Sequence, residues 1–446
     1  MRIAVGLFVS LTIVGCGGAP LTTGAPAPSA SRDAASEDAP RDARDQPDAP
    51  GVHADALTVE ASVDAHGGLI GDVVAVDVAG SDAATDVTSD VPGAQDVVGR
   101  ANDAADGAPD GAATLPCPSC PPPSCAGQQG LGLSSCGPLH EDCCTSILVP
   151  GGSFFRSYDG VSCPGGDPPA PPPELGCYTH TTDPATVSDF RLDKYKVTAA
   201  RFQRFMAAVD AGWRPPVGAG VHAHLAQGLG VADVRDPSQH EQGWQVAWDA
   251  DLSSDASGAW DRFVAFNSSG LPDAPVSEDR PAGAVTWTQA YAFCIWDGGF
   301  LPTEAEWNYA AAGGAQQRVY PWSSPPTSTT IDCGHAAYQG DAANTCAPTD
   351  DVLPVGSRSP LGDGRWGHVD LEGDRAEWTL DWLDEYLSPC VDCARLQPPS
   401  AAEITTLAPQ RVLRGEYGVL LVSYRGGDEE SGTYDSLVGV RCARAP

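Results

Sequence analysis

Apolar residues recur at helical spacing in residues 285–322, and the second half of this stretch predicts a short helix. After Thr303 the sequence EAEWNYAA places Trp307 and the alanines that follow it on one helical face. Thr303 and Glu306 match a capping box, because the hydroxyl and the carboxylate each satisfy an N–H group of the first turn. The pattern therefore predicts a helix that begins after Thr303 and ends at glycines 313–314.

The residues just before this helix predict another one. Thr286 is its expected cap, and glycines 298–299 are expected to end it. The apolar positions of this helix are Ala290, Phe293, Cys294 and Trp296. Two capped helices in succession, with tryptophans on their flanks, indicate a packing unit rather than a linker.

The remaining pattern is sparse in regular elements. A strand is predicted at residues 148–154, a second at 187–195, and a helix at 199–210 with Thr198 as its cap. Residues 214–278 are expected to form a long irregular loop. Short helices, long glycine-rich loops and many tryptophans predict an α+β fold with little regular structure.

The first sixteen residues are typical of a bacterial lipoprotein signal peptide. Arg2 supplies the positive charge, and the apolar run 3–14 is shorter than the ~20 residues that span a bilayer. Gly15 precedes Cys16 as in a lipobox, which predicts that Cys16 carries the lipid. In the alternative, this is an ordinary signal peptide and Cys16 is incidental.

Residues 17–116 are predicted to be a disordered tether rich in Ala, Asp and Pro. They contain no aromatic residue and carry 18 acidic against 4 basic side chains. Such a chain cannot bury enough apolar surface to offset its loss of entropy, and its charges repel. Stretch 69–80 (LIGDVVAVDVAG) has no neighbouring strand to pair with, so it is also expected to be disordered rather than a strand.

We expect a bacterial envelope protein, anchored to the outer membrane, whose folded part lies in the periplasm or on the cell surface.

The formal net charge of −34 is not confined to the tether. Without a basic patch that could release counterions, nucleic acid and anionic lipid are not expected as partners of the folded part. A basic peptide or a cation stays compatible with this charge.

Fourteen cysteines remain after Cys16, and an even number behind an export signal predicts disulfides. Cys333/Cys346 and Cys390/Cys393 bracket short loops and are expected to be local bridges. Cys390 and Cys393 also match half of a zinc site, but a second such pair with a nearby histidine is missing. A cysteine-rich collar, residues 117–144, is expected to be disulfide-linked rather than metal-binding. It contains Cys117, Cys120, Cys125, Cys136, Cys143 and Cys144.

Six blocks in a fixed order resemble the formylglycine-generating enzyme family, also called sulfatase-modifying factors. The blocks are residues 147–154 (ILVPGGSF), 190–205 (FRLDKYKVTAARFQRF), 285–322 with its LPTEAEW core, 373–382 (GDRAEWTLDW), 411–415 (RVLRG) and 439–444 (GVRCAR). The resemblance implies a domain at residues 145–446 with the family's fold, a loop-rich variant of the C-type-lectin-like fold. It also implies a structural disulfide between Cys294 and Cys442.

The resemblance further implies a structural calcium ion. Asp370 and Glu377 match the family positions that supply side-chain oxygens, and Gly373 and Arg375 match those that supply backbone carbonyls. Hard oxygen donors on a turn are what calcium requires. The departures from the family pattern are Asp374 and Ala376. In the alternative, this segment is a solvated surface turn.

The family oxidises a cysteine of a sulfatase peptide with copper and oxygen, and two cysteine thiolates hold the copper. Counting onward from residues 414–415, the two cysteine positions fall on Leu420 and Arg425. Since no cysteine occurs between Cys393 and Cys442, a gap cannot restore the pair. Leucine offers no ligand atom, and arginine brings a fixed positive charge. We therefore expect neither copper nor ordinary formylglycine-generating chemistry.

Polar side chains remain where the family's substrate peptide would lie. Arg414, Glu416, Tyr417 and Arg425 are expected to line a cleft that binds an extended peptide or a glycan; in the alternative they belong to a solvated loop. The only histidine cluster is His222, His224 and His240, where incidental imidazoles on a surface loop are favoured over a metal site.

Three functional hypotheses follow. In the first, a lipid-anchored lipoprotein has a domain of this family that has lost redox catalysis and binds a ligand. In the second, it is an oxidoreductase of the family that acts on a protein cysteine or a small molecule with an unrecognised metal. In the third, it is a purely structural envelope protein.

Overall fold

A computed structural model describes residues 121–127, 129–162, 178–252, 263, 276–338, 346, 352–400, 408–429 and 438–446. The predicted signal peptide, the tether with its stretch 69–80, and Cys117 and Cys120 of the collar lie outside these residues. Within the described ranges, no helix combines the length and the hydropathy needed to cross a bilayer.

The described residues form three α-helices and a set of short strands joined by long loops. The helices are α1 Ala199–Asp210, α2 Trp287–Trp296 and α3 Glu304–Ala311. The strands are β1 Ser146–Val149, β2 Gly152–Phe155, β3 Pro184–Val187, β4 Phe190–Asp193, β5 Ala232–Asp233, β6 Ala376–Trp382, β7 Cys390–Val391, β8 Cys393–Ala394, β9 Gln410–Arg414, β10 Gly426–Glu429, β11 Val438–Gly439 and β12 Ala443–Arg444. Short 3₁₀ turns lie at Ala226–Gly228, Val246–Leu252 and Gly314–Gln316.

The strands pair into four small sheets. Their orders are β10-β9-β6-β11, β1-β4-β12, β2-β3-β7 and β5-β8. In the largest sheet β6 pairs antiparallel with β9 and parallel with β11, and its register against β9 shifts between Trp378 and Trp382. All seven residues of β6 are buried, so this strand runs through the interior.

The predicted helix caps are confirmed. The hydroxyl of Thr198 accepts a hydrogen bond from the backbone N–H of Arg201. Thr303 and Glu306 form the expected capping box at α3. Thr286 forms a further capping box with Gln289 at α2. Every residue of α3 is buried, so it is a core helix rather than an amphipathic surface helix.

The strand predictions are only partly correct. The predicted strand 148–154 is broken between Val149 and Gly152, and the predicted strand 187–195 is broken between Val187 and Phe190. The break after Val187 has a physical reason, because the polar residues there bond to other segments. The Asp189 carboxylate accepts the N–H of Gly151 at 2.7 Å, so this aspartate closes the neighbouring turn instead of continuing the strand.

Besides a small apolar cluster around Tyr195, the described residues form two large apolar clusters built around the helices. One surrounds α1, α2 and β6, and the other surrounds α3 and strands β2 to β4. Four tryptophans are fully buried in them: Trp244, Trp287, Trp307 and Trp378. Helix α2 is also bonded covalently to the C-terminal segment through Cys294 and Cys442. Helices α2 and α3 therefore lie at the centre of the domain.

Candidate functional site

A buried cluster of charged side chains begins at the first residue of α3. Because Thr303 caps the helix, Glu304 lies in the first turn, where its negative charge faces the positive end of the helix dipole. Its backbone N–H donates to the Asp381 carboxylate at 2.7 Å. The local capping sequence and β6 thus fix the place of Glu304.

Two arginines and a tyrosine converge on the Glu304 carboxylate. Arg414 Nη2 donates to Oε1 at 2.5 Å. Arg425 donates from Nε to Oε1 at 2.7 Å and from Nη2 to Oε2 at 2.8 Å. The Tyr386 hydroxyl donates to Oε1 at 2.6 Å. We call Glu304, Tyr386, Arg414 and Arg425 the Glu304 cluster.

The Glu304 cluster holds its charges in the interior. Burial by itself raises the pKa of Glu304, but the positive charges of Arg425 and Arg414 outweigh it and lower this pKa to about 2. Burial likewise disfavours the charge of Arg425, yet the contact with Glu304 raises its pKa overall. Both side chains are therefore ionised at neutral pH and form a bidentate, charge-assisted pair.

Two guanidinium groups lie against the ring of Tyr386. The Cζ of Arg156 is 4.3 Å from the ring centroid and that of Arg425 is 4.2 Å from it. Arg156 also donates to the carbonyl of Leu387 at 2.7 Å. The Ser157 hydroxyl lies 2.9 Å from the Tyr386 hydroxyl. Both the ring and the hydroxyl of this tyrosine are therefore in contact with other side chains.

Three of the four residues of the expected ligand cleft are buried. Arg414 is fully buried and Arg425 is 8% exposed, and both donate to Glu304. Tyr417 is also buried, and Glu416 is half-buried. The sequence indicated either a ligand cleft or a solvated loop, because it does not show that a carboxylate from α3 neutralises both arginines.

The positions of the two copper-binding cysteines are apolar or cationic. Leu420 is buried, and Arg425 belongs to the Glu304 cluster. Within the described part of the chain every cysteine is paired in a disulfide. No free thiolate is therefore present among these residues to bind a soft metal.

The disulfides confirm the implied bridge and decide between the local alternatives. The bridges are Cys294–Cys442, Cys333–Cys346, Cys390–Cys393, Cys125–Cys144 and Cys136–Cys143. The zinc alternative for Cys390 and Cys393 is thereby removed. Cys125, Asp142 and Cys144 lie close enough for a metal site, but both sulfurs are consumed in one disulfide.

His222 differs from the surface imidazole that was expected. Its ring is fully buried, with Nδ1 2.9 Å from Glu241 Oε1 and Nε2 3.2 Å from Glu306 Oε2. Burial by itself lowers the pKa of His222, but the two carboxylates outweigh it and raise this pKa to about 10. The imidazole is therefore protonated and has no lone pair for a metal. Instead, His222 connects the long loop in which it lies to Glu306 in the capping box of α3.

The four residues expected to hold calcium are buried rather than solvated. Glu377 is fully buried and lies against Lys196 and Arg441. Burial raises the pKa of Asp370, while the N–H of Gly356 and the charges of Lys196 and Arg441 oppose that rise. Two fixed cations from other segments therefore already contact Glu377, where a divalent ion was expected.

A cavity of about 300 Å³ lies beside α2 and β9, and no motif in the sequence indicates it. Its lining includes Trp248, Trp287, Tyr291, Trp382, Arg411 and Gln245. The guanidinium of Arg411 lies between two indoles, with Cζ 3.7 Å from the centroid of Trp287 and 3.8 Å from that of Trp382. Flat aromatic walls with a few polar groups are typical of small-ligand sites.

The chain belongs to the sulfatase-modifying factor family, since residues 136–446 match the model described as "Sulfatase-modifying factor enzyme 1-like domain". This membership confirms the family prediction and the loop-rich α+β, C-type-lectin-like fold.

Relatives of the chain differ in activity. It is 30% identical over 256 residues to the formylglycine-generating enzyme of Thermomonospora curvata, covering 53% of this chain and 71% of that enzyme. It is 28% identical over 235 residues to the inactive C-alpha-formylglycine-generating enzyme 2 of Bos taurus, covering 52% and 69%. It is also 30% identical over 306 residues to the hercynine oxygenase of Mycolicibacterium smegmatis, covering 64% and 58%. Family membership alone therefore does not establish catalysis.

Proposed function

We propose that this protein is a lipid-anchored envelope lipoprotein whose domain binds a peptide or a glycan and does not oxidise cysteine. The observation that carries the proposal is the place of Arg425. It stands at a position expected for a copper-binding thiolate, and its guanidinium is committed to Glu304 through two hydrogen bonds. Leu420, at the other position, offers no ligand atom.

The charge of Arg425 also opposes a metal at this place. Arginine stays protonated at all accessible pH values, and the contact with Glu304 raises the pKa of Arg425 further. A copper ion here would meet a fixed like charge in a buried site, where repulsion is poorly screened. The contacts within the Glu304 cluster thus support a stabilising role for Arg414 and Arg425, which were expected to line a ligand cleft.

The aromatic cavity supports ligand binding. Indole faces pack against the apolar faces of sugar rings or against peptide side chains, and amide groups such as that of Gln245 supply polar contacts. Trp248 is half-buried at this cavity, so part of its ring remains accessible. A lipid on Cys16 would keep such a domain attached to the membrane through the acidic segment 17–116.

Metal content and activity test the loss of oxidation. The full chain, purified aerobically, is expected to hold no stoichiometric copper or iron and to leave a sulfatase-derived cysteine peptide unchanged in mass. The enzyme of Thermomonospora curvata, assayed in parallel, is the positive control. Stoichiometric copper together with conversion of the peptide cysteine to an aldehyde would establish the alternative, an oxidoreductase of this family.

Ligand binding is tested with a glycan array and an extended-peptide array. Trp248→Ala is expected to abolish the signal, because it removes one aromatic wall of the cavity. Trp322→Ala is a matched control, since Trp322 is also half-buried and does not line this cavity. A wild type that binds nothing on either array would favour a purely structural protein.

A further inference from the structure

The region where calcium was expected already contains a buried cation of the chain itself. Lys196 lies in the segment between β4 and α1, and its side chain is 1% exposed. Its Nζ donates to the carbonyl of Arg375 at 2.8 Å and to Oε1 of Glu377 at 2.6 Å. These are two of the four oxygen donors that the family resemblance assigned to the ion.

The Glu377 carboxylate has no remaining capacity for a metal ion. Oε1 accepts from Lys196 and from Arg441 Nη2, the latter at 2.9 Å. Oε2 accepts from the indole N–H of Trp307 at 2.6 Å and from Arg441 Nε at 3.1 Å. A metal ion would have to displace these donors in a fully buried site.

Arg441 is itself fixed in place by the backbone. Its Nη1 donates to the carbonyls of Asp193 and Lys194, at 2.9 and 2.6 Å, and its Nη2 donates to that of Val369 at 2.9 Å. These contacts hold its positive charge next to Glu377. A divalent cation would therefore meet two fixed positive charges at this carboxylate.

The second expected side-chain ligand, Asp370, also accepts a hydrogen bond from the backbone. Oδ2 of Asp370 accepts the N–H of Gly356 at 2.5 Å. Nearby, Oδ1 of Asp374 accepts the N–H of Leu353 at 3.2 Å. Both aspartates thus bond to backbone N–H groups of residues 353–356 and tie this segment to the turn.

We propose that the ammonium group of Lys196 replaces the structural calcium ion at residues 370–377, so that this domain folds without calcium. The lysine supplies a cation that contacts a backbone carbonyl and a carboxylate, as a calcium ion would. It is bonded covalently to the chain, so its occupancy does not depend on calcium concentration. A domain of this kind keeps its stability in calcium-poor surroundings.

Thermal melting of the full chain tests the replacement. The wild type is expected to melt at the same temperature in excess chelator and in millimolar calcium chloride. Lys196→Met, which keeps most of the apolar stem and removes the charge, is expected to melt lower in chelator and to regain stability when calcium is added. Lys194→Met is the control, since Lys194 pairs with Glu141 outside the site, and calcium should not change its melting.

Calorimetric titration of the wild type with calcium gives a readout that does not require the variant to fold. No binding is expected at this site. Two results would overturn the proposal: calcium binding by the wild type that Asp370→Ala removes, or a folded Lys196→Met variant whose melting does not respond to calcium.

Discussion

Arg425 donates two parallel hydrogen bonds to the buried carboxylate of Glu304, at 2.7 and 2.8 Å. The residues lie 121 positions apart in sequence, and the contact joins the segment before β10 to the first turn of α3. The side chain that stands at an expected metal-ligand position is therefore part of the ion pairing that stabilises the core.

Breaking this pair is expected to destabilise the domain. Arg425→Met leaves Glu304 with Arg414 as its remaining cation, and loss of one partner of a buried pair costs ~3 kcal/mol or more in the free energy of unfolding. Arg425→Lys keeps the charge but not the parallel hydrogen bonds, so its loss should be smaller. Urea unfolding of both variants measures the difference. An Arg425→Met variant as stable as the wild type would contradict the role assigned to this pair.

His222 is expected to make stability fall at alkaline pH. Its pKa is raised in the folded state, from 6.5 to about 10. The stabilisation is therefore fully present below pH 6.5 and is lost as the pH rises through 10. The expected observation is a declining melting temperature between neutral pH and pH 10, measured by circular dichroism.

Two histidine variants separate this effect from other groups that titrate in the same range. His222→Gln is expected to be less stable at pH 7 and to show a flatter decline, because it carries no charge to lose. His224→Gln should retain the decline, since burial lowers the pKa of His224 and the ring is already neutral at pH 7. An unchanged decline in His222→Gln would show that other groups cause it.

The bridge between α2 and the C-terminal segment is expected to contribute more than a local one. Cys294 and Cys442 are separated by 148 residues, and Cys333 and Cys346 by 13. Loop-closure entropy predicts a loss of about 5 kcal/mol for the first pair and about 3 kcal/mol for the second when both cysteines become serine. Urea midpoints of the two double variants measure this. Equal losses would indicate that strain or residual structure outweighs loop length.

Lipid attachment at Cys16 is expected to determine membrane association. Cys16→Ala should move the protein from the membrane fraction to the soluble fraction, because each buried methylene of an acyl chain contributes ~0.8 kcal/mol. Fractionation of cells followed by immunoblotting gives the distribution, and mass spectrometry of the N-terminal peptide gives the lipid. A wild type cleaved to a soluble form with a free Cys16 thiol would contradict the prediction.

Local signals in the sequence determined the helices and their caps. A capping box needs a side chain and a backbone group only three residues apart, so Thr303 and Glu306 were sufficient to place α3. The order of six short blocks indicated the family, and with it the bridge between Cys294 and Cys442. The missing cysteines between Cys393 and Cys442 are likewise a property of the sequence alone.

Only the tertiary structure decided which charges are buried and what they contact. Lys196 meets Glu377 across 181 residues, and His222 meets Glu306 across 84. In the sequence these residues have the same appearance as solvated side chains, because desolvation and pairing depend on neighbours brought together by folding. For this reason the sequence could not show the internal ion pairs at the predicted calcium turn and ligand cleft, and it indicated a surface histidine where the fold buries His222.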